Sequence, residues 1–215
     1  MDSSGFTWAM IFRKEIKRFR DWASRVKHHS AEWELEYPDW PRFEAAVFSF
    51  LNETDSAKWE AQDWHDLLYA VARDNECEKF IERISEDQSL LKKFVFEAMK
   101  SDESEAKWQV AEYLGQIGDL EFAEPILLFF VEDADEYVRR RSLTALSVLG
   151  SKETERLAIL AWETGRLYPR IRALHALNKI GSPRLEHLLE LAKQDGRVHL
   201  LANASKLQTV RKERD

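Results

Sequence analysis

The side chains with chemistry to offer in this 215-residue chain are six histidines, one cysteine and a scatter of carboxylates. None of the histidines (His28, His29, His65, His175, His187 and His199) stands in H-E-x-x-H spacing, and none belongs to a Cys/His zinc pattern. Cys77 has no second thiol for an internal disulfide, and its acidic setting, Asp-Asn-Glu-Cys-Glu, raises a thiol's pKa rather than activating it. His187 and Glu190 are one helical turn apart, a pairing common on solvated helices. His65 and Asp66 could imitate a base with its orienting acid, but adjacent helical residues point about 100° apart and should not face each other. A phosphate-cradling glycine loop and a G-x-S-x-G nucleophile turn are both missing. These residues predict no catalysis, no cofactor and no metal.

Behind those side chains lies a repeated element. Segments 106–118, 138–150 and 169–181 align without gaps, and each ends in Leu-x-x-(Ile/Leu)-Gly, at Gly118, Gly150 and Gly181. The glycines are 32 and 31 residues apart, and Leu143, Leu146 and Leu149 show the helical spacing within a segment. A glycine just past the last apolar position predicts a helix ending in the left-handed conformation. Further helices are expected between the segments, over 121–131, 152–164 and 184–193, with Pro183 in the first turn of the last. Another is expected before them at 89–100 and one after them at 197–210, followed by a polar tail, 211–215. Two helices per unit of about 31 residues define a helical solenoid, because one unit cannot bury its apolar stripe alone.

The pattern Val-Arg-x-x-Ser/Ala-x-x-Ala-Leu-x-x-Leu-Gly resembles HEAT repeats of the phycobilisome-lyase type over about half the chain. The resemblance implies an α-α superhelix in which the second helix of each pair lines the concave, ligand-binding face. It also implies an Asp in the turn paired with a basic residue six positions later, a spacing met by Asp133 with Arg139 and by Asp135 with Arg141. The third unit departs, with Thr164 and Arg166 where acids would precede Arg170 and Arg172, which leaves those two arginines for other work. The His-Glu pairs of HEAT-type di-iron hydroxylases do not occur. A Trp-rich helical cap before a short array is similar to small bacterial HEAT-repeat proteins, and some helical-repeat proteins of this size are immunity partners of toxins.

Removing the apolar positions from the repeated helices leaves a stripe of Trp108, Glu112, Tyr137, Arg140, Arg141, Tyr168, Arg172 and His175, which His199 and Asn203 continue. Trp, Tyr and Arg are the residues enriched at binding hot spots. A HEAT-like alkylpurine glycosylase is the enzymatic alternative, with Trp108, Asp135, Arg140 and Arg172 in its cleft.

The first 87 residues form the cap, with six of the eight tryptophans in the first 64 positions, and residues 88–215 form the array of about four helix pairs. In the cap, Phe12, Ile16, Phe19, Trp22 and Val26 share one face of a basic helix. A connector with Pro38 and Pro41 precedes helices at 43–51, at 64–73 capped by Asp63, and at 77–84. The net charge of −7 is uneven: residues 1–30 hold seven basic against three acidic residues, and residues 31–92 six against sixteen. A duplex-DNA binder needs an extended cationic surface, so nucleic acid is not the expected partner. The acidic segment, with Trp33, Glu34, Glu36, Asp39 and Trp40 as its contact loop, suits a cationic protein.

The longest apolar stretch, 125–131, is far shorter than a membrane span, and no signal peptide is apparent, which predicts a cytoplasmic protein. The expectation is an all-α solenoid with an irregular helical cap that binds another protein without catalysis, in its most concrete form an immunity protein for a cationic toxin.

Overall fold

Gly150 and Gly181 both take positive φ, 71° and 67°, and each closes its helix in the same way. The Ser151 N–H donates to the Leu146 carbonyl at 3.0 Å and the Ser182 N–H to the Leu177 carbonyl at 2.9 Å. This closure uses carbonyls a helix end would otherwise leave unpaired, and its left-handed residue is strained for anything with a Cβ. The computed structural model describes residues 3–27 and 32–212, and the side chains of 7–27 and 32–209. His28, His29 and the end of the polar tail from Glu213 lie outside the described residues.

Among the described residues the fold is all-α, with thirteen α-helices and no strand. No described helix is long and apolar enough to cross a membrane. Contacts divide the chain into two units between Val110 and Ala111, within the helix α7.

In the first unit, α1 (Ser3–Ala23) packs on α3 (Trp40–Glu53) and α4 (Ala61–Arg73), with the short α2 (Trp33–Glu36) between α1 and α3 in the chain. Helices α5 (Lys79–Ser85) and α6 (Gln88–Lys100) follow, and α7 (Ser104–Gln116) begins here. The core is aromatic. Phe19 has the rings of Tyr37, Phe43 and Trp22 within 4.8–5.4 Å, and Phe12 stacks on Phe50 at 4.4 Å.

Three sequence expectations change in this unit. Helix α1 stops at Ala23, so Val26 falls beyond the apolar face assigned to it. Asp63 is not the N-cap of α4 but its third residue; Glu60 is the N-cap, and its N–H donates back to Asp63 at 2.9 Å, closing a capping box. Helix α2 was not foreseen, since four residues carry no period.

In the second unit, α8 (Leu120–Phe130) packs on α9 (Glu136–Leu149), α10 (Thr154–Glu163) on α11 (Leu167–Lys179), and α12 (Arg184–Asp195) on α13 (Val198–Lys212). Helix α11 also packs on α9 and α13. Pro183 sits one residue before α12, as its N-cap, rather than in its first turn. Hydrogen bonds follow the period too. Ser151 Oγ donates to Glu124, and Ser182 Oγ to Glu155 at 2.6 Å, each pair 27 residues apart.

Candidate binding groove

Helices α9 and α11 lie side by side and present the part of the predicted stripe that belongs to the second unit. Asp135 starts α9, its carboxylate accepting the N–H groups of Tyr137 and Val138 at 2.6 and 3.2 Å. That cap occupies the acid that the glycosylase reading needs in a cleft. Arg139 donates to the backbone carbonyls of Asp133 and Ala134, and so ties the turn before α9. Arg141 pairs with Glu112 of α7 at 2.7 Å and donates to the Tyr137 hydroxyl.

Arg140 reaches Glu136 at 3.5 Å and lies 4.9 and 5.1 Å from the ring centres of Tyr137 and Tyr168. Glu136 is shared, since Arg166 also approaches it, at 2.9 Å. Cation–π contacts of this kind leave the cation's charge in place while holding the guanidinium still.

Arg172 of α11 is different. It is half-buried, its Nε, like that of Arg140, is enclosed with no hydrogen-bond partner, and among the described residues no carboxylate lies within ion-pair distance of it. Burial first, then the neighbouring Arg141 and Arg140, pushes its pKa below the ordinary arginine value, with Tyr137 and Glu112 opposing the shift more weakly. Arg172 lines a groove of about 440 Å³ between α9 and α11, together with Thr144, Val148, His175 and Lys179. Among the described residues, no acidic side chain lines that groove. Val148, 51% exposed, gives it an apolar wall and continues into a second groove of about 240 Å³ beside Glu112, Gly115 and Arg141.

His175 is fixed rather than available as a ligand. Asn203 donates its amide N–H to the His199 carbonyl at 2.8 Å, which turns its amide oxygen toward His175 Nε2, 2.9 Å away. Nε2 therefore carries the proton and donates.

Other predicted residues fall elsewhere. Trp108 belongs to the first unit and is 7% exposed, so its ring is packing material rather than contact surface. Trp40, 8% exposed, and Trp33 pack around Phe19 at 6.3 and 5.9 Å, and Arg73 lies over Trp33 at 5.5 Å. Glu34 accepts the Glu76 N–H at 2.9 Å and so anchors the turn before α5. Asp39 pairs with Arg42 at 2.9 Å, and Glu36 is half-buried. The predicted acidic contact loop is thus largely built into the first unit.

Two further readings are corrected. Arg170 is not left for other work: it pairs with Asp195 and lies 4.8 Å from the Trp162 ring centre. Arg197 and Arg170 together hold the Asp195 carboxyl down at about 2. His65 and Asp66 do approach, at 3.6 Å, because Arg20 lies 3.2 Å from His65 Nδ1 and 3.1 Å from Asp66 and draws both toward it. Cys77 is exposed, and slight desolvation of its thiol, then the nearby Glu34 and Asp74, pushes its pKa up.

No protein-family model matches this chain, and no curated protein matches it either.

Proposed function

We propose that this chain is a non-catalytic, HEAT-type helical-repeat module of the cytoplasm that binds another protein in the groove between α9 and α11. The observation that carries this reading is Arg172, a guanidinium with no carboxylate in ion-pair contact among the described residues, in an open groove with an apolar wall at Val148. Buried charge normally finds a partner, and hot spots combine such a group with aromatic and apolar neighbours. The repeat reading is supported by the pairing of α8 with α9, α10 with α11 and α12 with α13, and by serine–glutamate bonds recurring at the sequence period.

A photoreactive amino acid placed at Val148 tests it in the native host. A discrete protein adduct there, missing when the same group replaces Leu160 on α10, is the expected result. No protein adduct at Val148 would remove this reading.

A second reading, an immunity-type module for a cationic toxin, rests on the acidic side chains of the first unit that stay exposed, among them Glu76, Glu82 and Glu86. It predicts co-purification with a basic protein that weakens as salt rises. Association unchanged by charge reversal at those three glutamates would count against it.

A further inference from the structure

Arg141 and Arg172 occupy the same position of successive repeats, 31 residues apart and fourth in their aligned segments. The acid that serves Arg141 is Glu112, seventh in the segment before it. The seventh residue of the segment before Arg172 is Thr144. Thr144 lines the same groove as Arg172, is neutral, and spends its hydroxyl on the Arg140 carbonyl at 2.9 Å. One layer therefore holds an internal carboxylate against its arginine, and the next holds open space at the equivalent place.

We infer that the groove between α9 and α11 takes an acidic segment of a partner protein, whose Asp or Glu carboxylate meets Arg172 where Thr144 replaces the acid of the preceding layer. This rests on the groove being the protein-binding surface. The chemistry asked of the partner is specific. Glu112 shows that a carboxylate can stand 2.7 Å from the guanidinium of an arginine at this position, and a free carboxylate can in addition align with the guanidinium fork. Lys179 adds positive charge, and Val148 offers an apolar contact one helical turn beyond Thr144. An extended peptide alternating acidic and apolar side chains matches this spacing.

A nucleic acid fits less well. From residue 111 onward the chain carries sixteen basic and sixteen acidic residues, and Glu112 and Glu136 lie among the arginines. A phosphate backbone would meet these acids as well as the cations, and counterion release needs a continuous cationic track.

The test uses the full chain and three fluorescein-labelled probes: a peptide of alternating Glu and Val, its Gln–Val counterpart, and an oligothymidine strand. The expected result is saturable binding of the Glu–Val peptide below about 1 mM at low salt, at least about tenfold tighter than the Gln–Val peptide. Arg172→Gln and Thr144→Glu should each weaken it by about tenfold or more, the first by removing the cation and the second by supplying the acid internally. Circular dichroism of both variants establishes that they are folded. Binding of the Glu–Val peptide that both variants leave unchanged, absence of saturable binding, or preferential Arg172-dependent binding of oligothymidine would each overturn the inference. The photocrosslink separates this failure from that of the broader reading: a protein captured at Val148 as efficiently by Arg172→Gln as by the native chain removes only the acidic partner.

Discussion

Ser182 Oγ donates to Glu155 at 2.6 Å while accepting the Arg184 N–H at 3.1 Å, so one hydroxyl joins the turn before α12 to the start of α10. Ser151 does the same one repeat earlier, between Glu124 and the Glu153 N–H. Both serines are buried, where a cap and a charge-assisted hydrogen bond contribute more than at the surface. Ser182→Ala should lower stability to urea by about 1–2 kcal/mol, and Ser151→Ala by a similar amount. A loss under about 0.3 kcal/mol at either site would mean that the bond does not hold the layers together.

Asp74 is 1% exposed and accepts the Phe80 N–H at 2.7 Å. Burial raises its pKa from 3.8 to about 7; that N–H opposes the shift and Glu34 and Glu44 add to it. The unfolded chain therefore releases this proton at lower pH than the folded chain. The stability contributed by protonated Asp74 is complete below about pH 4 and is lost as pH rises to about 7, a span worth about 4 kcal/mol. Asp74→Asn keeps an acceptor for Phe80 without the charge. It should match the native chain near pH 4 and exceed its stability by about 2–4 kcal/mol at pH 7.5. Denaturation curves in which the two proteins differ by a constant amount across this range would exclude the assignment.

Arg13 meets Asp63 at 2.8 Å and Arg20 meets Asp66 at 3.1 Å, which marks where the sequence ceased to be readable. Charge counted along the chain separates a basic α1 from an acidic segment, but the fold lays α1 against α4 and much of that contrast is spent internally. The helices themselves were legible, because Leu and Ala at helical spacing followed by glycine admit one reading, as in α9 and α11. Helix α2 was not, since Trp33 finds its place only when Phe19 comes to meet it across the unit. The arginine cluster was visible as residue types; which of its members lacks an acid was not. That required knowing that the fourth position of one repeat meets the seventh of the preceding one, a register first apparent in the Arg141–Glu112 pair. The polar partners of Arg13 give a direct check. Arg13→Met leaves Asp63 buried without its cation and should cost about 1–3 kcal/mol, less than a fully buried pair because Arg13 is about a third exposed. Unchanged urea stability would show the ion pair to be neutral.

Gly115 of α7 faces Ala145 of α9 so closely that a Cβ added to it would lie 2.9 Å from the alanine Cβ and 3.0 Å from its Cα. The backbone atom cannot swing away, so the helices must separate. Alanine is the better helix former by about 1 kcal/mol, yet Gly115→Ala should destabilise the chain by about 1–3 kcal/mol through overpacking. Adding Ala145→Gly should recover part of the loss, since it removes one of the clashing atoms. If Gly115→Ala raises the melting temperature, the close approach of α7 and α9 is wrong.

Arg141 and Arg172 should respond to the same substitution with opposite sign. Arg141→Gln breaks the pair with Glu112 and leaves that partly buried carboxylate without its cation, which should cost about 1–3 kcal/mol. Arg172→Gln removes a half-buried cation that has no ion-pair partner among the described residues and is repelled by two other arginines more than Glu112 attracts it, so it should stabilise the free protein by about 1 kcal/mol, or roughly 2–4 °C in Tm. Thr144→Glu should also stabilise, by supplying the missing acid. A group retained against stability at one repeat and in its favour at the next points to a demand made from outside the chain, because packing alone would have given Arg172 the acid that Arg141 has. Thermal melts of the three variants decide the matter: destabilisation by Arg172→Gln on the scale of Arg141→Gln would make both arginines structural and leave the groove without its recognition group.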